Sequence, residues 1–262
     1  MGTIPARERV RGNVMVKVDL THMFDTPTCC DGSGWYLKQV PFGHPDFGKL
    51  QRCECGRAGD PAARKNALTA ALRAYGECSF ENWNAQREVE NTSWGGVAYN
   101  ITDQQKALRI ATKRAMDYVE EPDGHLFIFG AFGAGKTHLA AAIGKALAEK
   151  NMRVEYQNLP RLFDELRAAA GDFAVDERMK PLLNSDVLIL DDLGAEDATS
   201  QFIQGRLFRL VDERMHLPTI FTSNLDLPVL EQKIGGRLQS RMYMAKHIWL
   251  PVSDYRKKKE TL

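Results

Sequence analysis

Gly130, Gly133, Gly135, Lys136 and Thr137 stand in the run GAFGAGKT, a complete G-x-x-x-x-G-K-[ST] phosphate loop. Its glycines let the backbone turn tightly and aim N–H groups at phosphate oxygens, and the helix that follows adds the positive end of its dipole. Lys136 would reach the β- and γ-phosphates as a point charge, and Thr137 would offer its hydroxyl to Mg²⁺. Gly130, Ala131, Phe132, Gly133, Ala134, Gly135, Lys136, Thr137 and His138 are therefore the candidate nucleotide-contacting residues, with ATP or GTP as ligand.

Three further runs could complete such a site. VLILDDLG carries Asp191 and Asp192 at the end of an apolar strand. Asp191 would hold Mg²⁺ opposite Thr137, and Asp192 would orient or deprotonate an attacking water. TIFTSN repeats the logic, with Asn224 placed to hydrogen-bond the γ-phosphate or that water. GGRLQSRM sets Arg237 and Arg241 four residues apart, on one side of a short helix. A guanidinium there could stabilise charge on a transferring phosphoryl group, often in a neighbouring subunit; Arg241 is the first candidate and Arg237 its support. Arg256, in SDYRKKK, could fold back onto the nucleotide of its own chain.

Elements that would position these residues can be read from periodicity. Strands are expected at 125–129, 153–157, 186–191, 218–222 and 246–250, with helices in the intervals, giving a five-stranded parallel sheet covered on both faces. HLAAAIGKALAEK reads as the helix after the phosphate loop. Between the second and third strands stand two helical candidates, NLPRLFDELRAAAG and a shorter DFAVDERMKPLLN interrupted before Pro181. Thr102 and Gln105 have capping-box spacing ahead of an amphipathic helix. Leu108, Ala111, Ala115 and Val119 would share its buried face, and Lys106, Arg109 and Lys113 would line another. The chain divides into an N-terminal module at 1–78, a linker and amphipathic helix at 79–122, and the nucleotide-binding core at 123–262. No internal repeat is evident.

The 262 residues are 44% hydrophobic, and 35 Lys and Arg stand against 34 acidic residues, so no overall field draws the protein to nucleic acid or a membrane. No apolar run has membrane-spanning length and no signal peptide is evident, which makes a cytoplasmic protein the expectation. Four of the five cysteines fall between 29 and 55. Cys29 and Cys30, then Cys53 and Cys55, form two thiolate pairs that suit tetrahedral Zn²⁺, a source of folding energy for a module too small for its own core. The adjacent first pair is cramped. Either all four cysteines bind, or Cys30 joins Cys53, Cys55 and a histidine, His44 or His22. Trp35, Tyr36, Phe42 and Phe47 lie between the pairs and could offer an aromatic contact surface to a partner.

With these residues in hand, the sequence resembles the AAA+ ATPases, and more narrowly the bacterial and phage replicative helicase loaders of the DnaC/DnaI type and their IstB-like relatives. SFENW, HLFIFGAFGAGKTHLAAAIGKAL, VLILDDLGAED, PTIFTSNL and GGRLQSRM carry the resemblance, over roughly residues 79–256. It implies an AAA+ core binding ATP and Mg²⁺, with Asn224 as sensor 1, Arg241 as trans-acting arginine finger and Arg256 as sensor 2. The helix pair between the second and third strands would correspond to an insertion used near single-stranded DNA. It further implies a hexameric replicative helicase gripped by the N-terminal module, self-association through ATP-bridged interfaces, and no helical lid beyond Arg256. Asp192 stands where the family often has Glu, which suits weak turnover. An IstB-like transposition helper and a nucleotide-gated adaptor with little hydrolysis are the alternatives.

Overall fold

The computed structural model describes residues 78–169, 171–195 and 201–260, together with two short strands nearer the N-terminus. The chain forms two compact units, Met1–Ala58 and Gly59–Leu262. In the first, β1 (Trp35–Leu37) pairs antiparallel with β2 (Leu50–Arg52). Cys29, Cys30, Cys53, Cys55, His22 and His44 lie outside the described residues.

In the second unit a hairpin of β3 (Thr92–Trp94) and β4 (Val97–Tyr99) precedes α1 (Ile101–Glu120). The core follows as β5 (His125–Gly130), α2 (Lys136–Glu149), β6 (Val154–Asn158), α3 (Leu159–Ala168), α4 (Asp172–Asn184) and β7 (Val187–Asp191). Then come α5 (Gln201–Glu213), β8 (Thr219–Ser223), α6 (Leu227–Ile234), α7 (Gly236–Met244), β9 (Lys246–Leu250) and a 3-10 turn at Tyr255–Glu260. The five long strands form one parallel sheet in the order β6-β7-β8-β5-β9.

Strand alternation divides this sheet between two cores. Leu126, Ile128, Val187, Ile189, Ile220 and Ile248 meet Leu108, Ala111 and Ala115 of α1 and Leu139, Ile143 and Leu147 of α2. The intervening residues Phe127, Leu188, Leu190 and Phe221 turn to the other face, against Leu162, Phe163, Leu182, Leu207, Leu210, Leu238 and Met242. Side chains on a strand point alternately to opposite faces, so near-continuous apolar runs are what a doubly covered sheet requires.

Three local expectations are corrected. The cap of α1 is Asn100, whose side chain accepts from the Asp103 N–H at 2.9 Å, not Thr102, which stands inside the helix. Asn is as good a cap as Thr, and here the hairpin ends directly on it. Helix α4 is not interrupted before Pro181 but runs through it to Asn184. Proline removes one N–H and crowds a single carbonyl, which a helix packed through Val175, Met179 and Leu182 tolerates near its end. Finally, residues 78–100 are not a bare linker: Cys78, Trp83 and Val89 belong to the core that contains α1 and α2.

The last turn of α4 is closed by Arg214, which has no exposed surface. Its Nη1 donates to the carbonyls of Leu182, Leu183 and Ser185 at 3.0, 3.1 and 2.7 Å, its Nη2 to Pro218 and its Nε to the Thr219 hydroxyl. Burial pulls the guanidinium pKa down to about 10, still well above neutrality. One cation thus ties the end of α4 to the start of β8. Arg214→Met should take this donor from all four carbonyls, of which Leu182 keeps the Ser185 hydroxyl and Pro218 the Leu188 N–H, and cost roughly 3–5 kcal/mol of unfolding free energy in denaturant titration; a loss below about 1 kcal/mol would show that the Leu183 and Ser185 carbonyls find other donors.

Candidate nucleotide site

The phosphate loop spans the end of β5 and the start of α2, with Gly135 as the N-terminal cap residue of α2 at φ +93°. A side chain at Gly135 would be strained by that φ, and its Cβ would lie 2.7 Å from the Trp83 ring. Gly133, at φ +63°, is similarly closed in, because a Cβ there would run into the Asp254 carboxylate. Neither of these two positions has room for a side chain, so the loop backbone packs directly against Trp83 and Asp254. Lys136 turns back on its own loop, donating to the carbonyls of Ala131 at 2.7 Å and Gly130 at 3.2 Å. Burial lowers its pKa to about 8, with Asp192 and Asp191 acting in the opposite direction.

Asp191 has no exposed surface and accepts hydroxyls from three elements. Thr137 of α2 donates at 2.9 Å, Tyr156 of β6 at 2.8 Å and Thr222 of β8 at 2.5 Å. Asp192 follows at φ +63°, its N–H donating to the Thr222 hydroxyl oxygen at 3.0 Å. The Asn158 amide donates to the Asp192 carboxylate at 3.1 Å. Burial, and then the neighbouring Asp191, raise the Asp192 pKa, which makes it a better base than a free carboxylate. The donor set fits a nucleotide with its cation: a hydroxyl and a carboxylate in contact beside a glycine cradle and a lysine.

Parallel strands β7, β8 and β5 deliver Asp191, Asn224 and Gly130 to one end of the sheet. The Asn224 carbonyl accepts from the Trp94 indole at 3.3 Å. Arg256 pairs with Asp254 at 3.2 Å, and its charge reaches Lys136, whose pKa it helps to lower. The imidazole Nε2 of His138 lies 2.9 Å from the Ser79 carbonyl. Arg237 and Arg241 form no hydrogen bond or ion pair with the loop or the acid pair among the described residues. Arg237 is exposed, whereas Arg241 is tied to Asp212 at 2.5 Å and lies over the Phe208 ring.

Sequence reasoning missed Tyr156, Asn158, Thr222, Trp83 and Arg87. Thr222 is legible in part, as a polar residue near the tip of the apolar strand TIFTS, whereas Asn158 ends the mostly polar strand VEYQN. Tyr156 looked like any strand aromatic, and Trp83 and Arg87 stood in an aperiodic stretch.

The sheet order, the phosphate loop after β5, between β8 and β9, and the acid pair at the end of β7 define an AAA+ type phosphate-loop core. The chain belongs to the IstB-like ATP binding proteins, whose family model matches residues 81–242. It is 37% identical over 194 residues to the replicative helicase loader DnaI of Bacillus subtilis, covering 73% of this chain and 59% of that protein. It is 35% identical over 120 residues to a protein of Sinorhizobium fredii named as an insertion sequence ATP-binding protein, covering 46% of this chain and 49% of that one. The chain thus spans about half to three fifths of the length of these relatives. A crystal structure of DnaI superposes with a TM-score of 0.56 at 26% identity, over 69% of this chain and 94% of that one.

Lys136 supplies a pH test. Its proton leaves the free site at about 8 rather than 10.5. Between those values the folded, nucleotide-free protein binds fewer protons than the unfolded chain, so the burden of this lysine on stability is lifted as pH rises. Nucleotide binding runs the opposite way, because a polyphosphate selects the ammonium. ATP affinity should fall roughly tenfold between about pH 7 and about pH 9, read by titration with a fluorescent nucleotide under saturating Mg²⁺. Flat affinity would show that Lys136 does not face the phosphates.

Proposed function

We propose that this chain is an ATP-dependent loader of the replicative DNA helicase onto single-stranded DNA. The observation that carries this reading is the extent of the likeness to DnaI, which covers 73% of the chain, against 46% for the insertion sequence relative. Residues ahead of the family-wide core also fit a loader, with cysteines suited to a zinc module that would grip the helicase.

Gly133, Gly135, Lys136 and Thr137 would hold the phosphates, and Thr137 with Asp191 would hold Mg²⁺. Bound ATP·Mg²⁺ supplies a γ-phosphoryl group open to attack by water. Asp192 takes the proton of that water, once its carboxylate is released from the Asn158 amide that now occupies it. Asn224, at the tip of β8, orients the same water or the γ-phosphate. Arg256 stays within the electrostatic reach of Lys136 and serves the nucleotide of its own chain. Arg241, with Arg237 beside it, serves the nucleotide of the next subunit, so a single chain holds an incomplete site and turnover reports assembly. The short Asp192 side chain keeps that turnover slow. The α3–α4 pair lies directly after Asn158, which caps α3 by accepting from the Arg161 N–H. Single-stranded DNA on this pair would therefore act on the residue that holds Asp192.

Capture of the cognate replicative helicase by the full chain, with ATP and without it, tests the loader reading directly. The loader retains the helicase, whereas a transposition helper retains only its transposase and target DNA. Arg241→Ala should keep ATP affinity and lose assembled turnover by roughly 10³-fold, and unchanged turnover would move the finger elsewhere. Turnover absent with and without single-stranded DNA would favour an adaptor. Metal analysis of the purified full chain should return about one Zn²⁺ per chain; none would retire the zinc module.

A further inference from the structure

We infer that Arg87 is a positioning residue of the nucleotide site, fixing the phosphate loop and lending it a cation that the bound polyphosphate compensates. This inference rests on the assignment of GAFGAGKT as the nucleotide loop.

Arg87 is only 7% exposed, yet among the described residues no carboxylate forms an ion pair with it. Its Nη2 donates to the Ala134 carbonyl at 2.6 Å, 47 residues along the chain. The guanidinium lies over the Trp83 ring at 5.3 Å and the Tyr255 ring at 5.5 Å. Its Nε is buried with no hydrogen-bond partner. Aromatic faces recover part of the cost of desolvating a guanidinium, but a dry cation with an orphaned N–H is costly to maintain. Its one hydrogen bond, to the Ala134 carbonyl, returns only part of that cost, so stability alone is a weak reason to keep a charge in this slot.

The loop supplies the reason. The Ala134 N–H donates to the Ala131 carbonyl at 3.3 Å, and Lys136 donates to the same carbonyl. The Ala134 N–H must leave Ala131 before it can serve a phosphate, whereas the Lys136 ammonium still has a third N–H to give. Arg87 grips the next peptide, and since a trans peptide points its N–H opposite to its C=O, holding the Ala134 carbonyl aims the Gly135 N–H the other way. Arg87 thereby sets one N–H of the cradle while the Ala134 contact to Ala131 is exchanged. Its neighbours close the loop from both ends of the unit: Trp83 packs on Gly135, and the Tyr255 N–H donates to the Gly133 carbonyl at 3.2 Å. A cation held this close to the cradle, with no carboxylate in ion-pair contact and Asp254 acting on it only from a distance, favours an anion of high charge in that cradle.

The test uses Arg87→Met and Arg87→Lys in the full chain. Met fills the slot between Trp83 and Tyr255 without charge but leaves the Ala134 carbonyl without this donor, so the nucleotide-free protein should melt within about 5 °C of the parental temperature, while the Kd for ATP and for ADP rises about tenfold. Lys keeps the charge but not the planar fork, and should recover part of the affinity. Parental affinity in Arg87→Met would overturn the inference. So would a loss of affinity accompanied by a fall of more than about 5 °C in the nucleotide-free melting temperature, since that is the mark of a purely structural residue. Lys136→Ala serves as the separate control: ATP affinity retained in that variant would remove the loop assignment itself.

Discussion

Asp191 is a carboxylate with no exposed surface, and a buried charge of this kind is tolerable only when its oxygens are satisfied. Its three hydroxyl donors come from α2, β6 and β8, the elements that surround the strand carrying it. Each donor can reach Asp191 only if its element sits in the observed register. β6 must place Tyr156 opposite Ile189 and Asn158 opposite Asp191, as it does, and α2 must begin where the glycine loop ends. The same three contacts that satisfy the charge therefore fix the mouth of the site. Breaking any one leaves a desolvated oxygen in a place where Coulombic effects are strong, which couples stability and chemistry at a single side chain.

The loop next to it is held differently. Its polar groups are satisfied locally, with the Ala131 carbonyl accepting both the Ala134 N–H and the Lys136 ammonium. A phosphate that takes the Ala134 N–H must exchange that bond for its own. The exchange is eased because the loop is braced from outside, by Trp83 and Arg87 on one side and by Asp254 and Tyr255 on the other. Bracing by segments some 50 residues before and 120 residues after the loop, an order-of-magnitude contrast with local turn chemistry, makes the loop geometry a property of the whole unit.

That contrast explains what the sequence could and could not disclose. The five strands of the sheet lie within a residue of their expected limits; for β7 and β8 the signal is local, an apolar run ending in a polar tip. GAFGAGKT and the DD pair are equally local, since chemistry requires their residue types at fixed spacing. Tyr156 and Thr222 became part of the site only through strand order, which no periodicity encodes. Arg87 was invisible for a related reason: it lies in an aperiodic stretch whose structure is dictated by packing on α1 and the loop. The cap of α1 was misplaced because Thr102 and Asn100 are both good caps by type, and only the end of the hairpin decides between them.

Arg241 shows how far a static arrangement constrains the proposed assembly. Its guanidinium is not free: Asp212 holds one nitrogen, Phe208 lies beneath it, and its Nε is buried without a partner. The ion pair is weak evidence of a fixed position, because its members are 26% and 44% exposed and such a pair is worth about 1 kcal/mol or less. The orphaned Nε works against the pair by a comparable amount. A γ-phosphate of a neighbouring subunit, with more charge than a carboxylate and several acceptor oxygens, could therefore draw Arg241 away at little cost. In the proposed loader this near-balance is what a trans-acting residue needs: a side chain kept in order while the subunit is alone, and released when an occupied neighbour arrives.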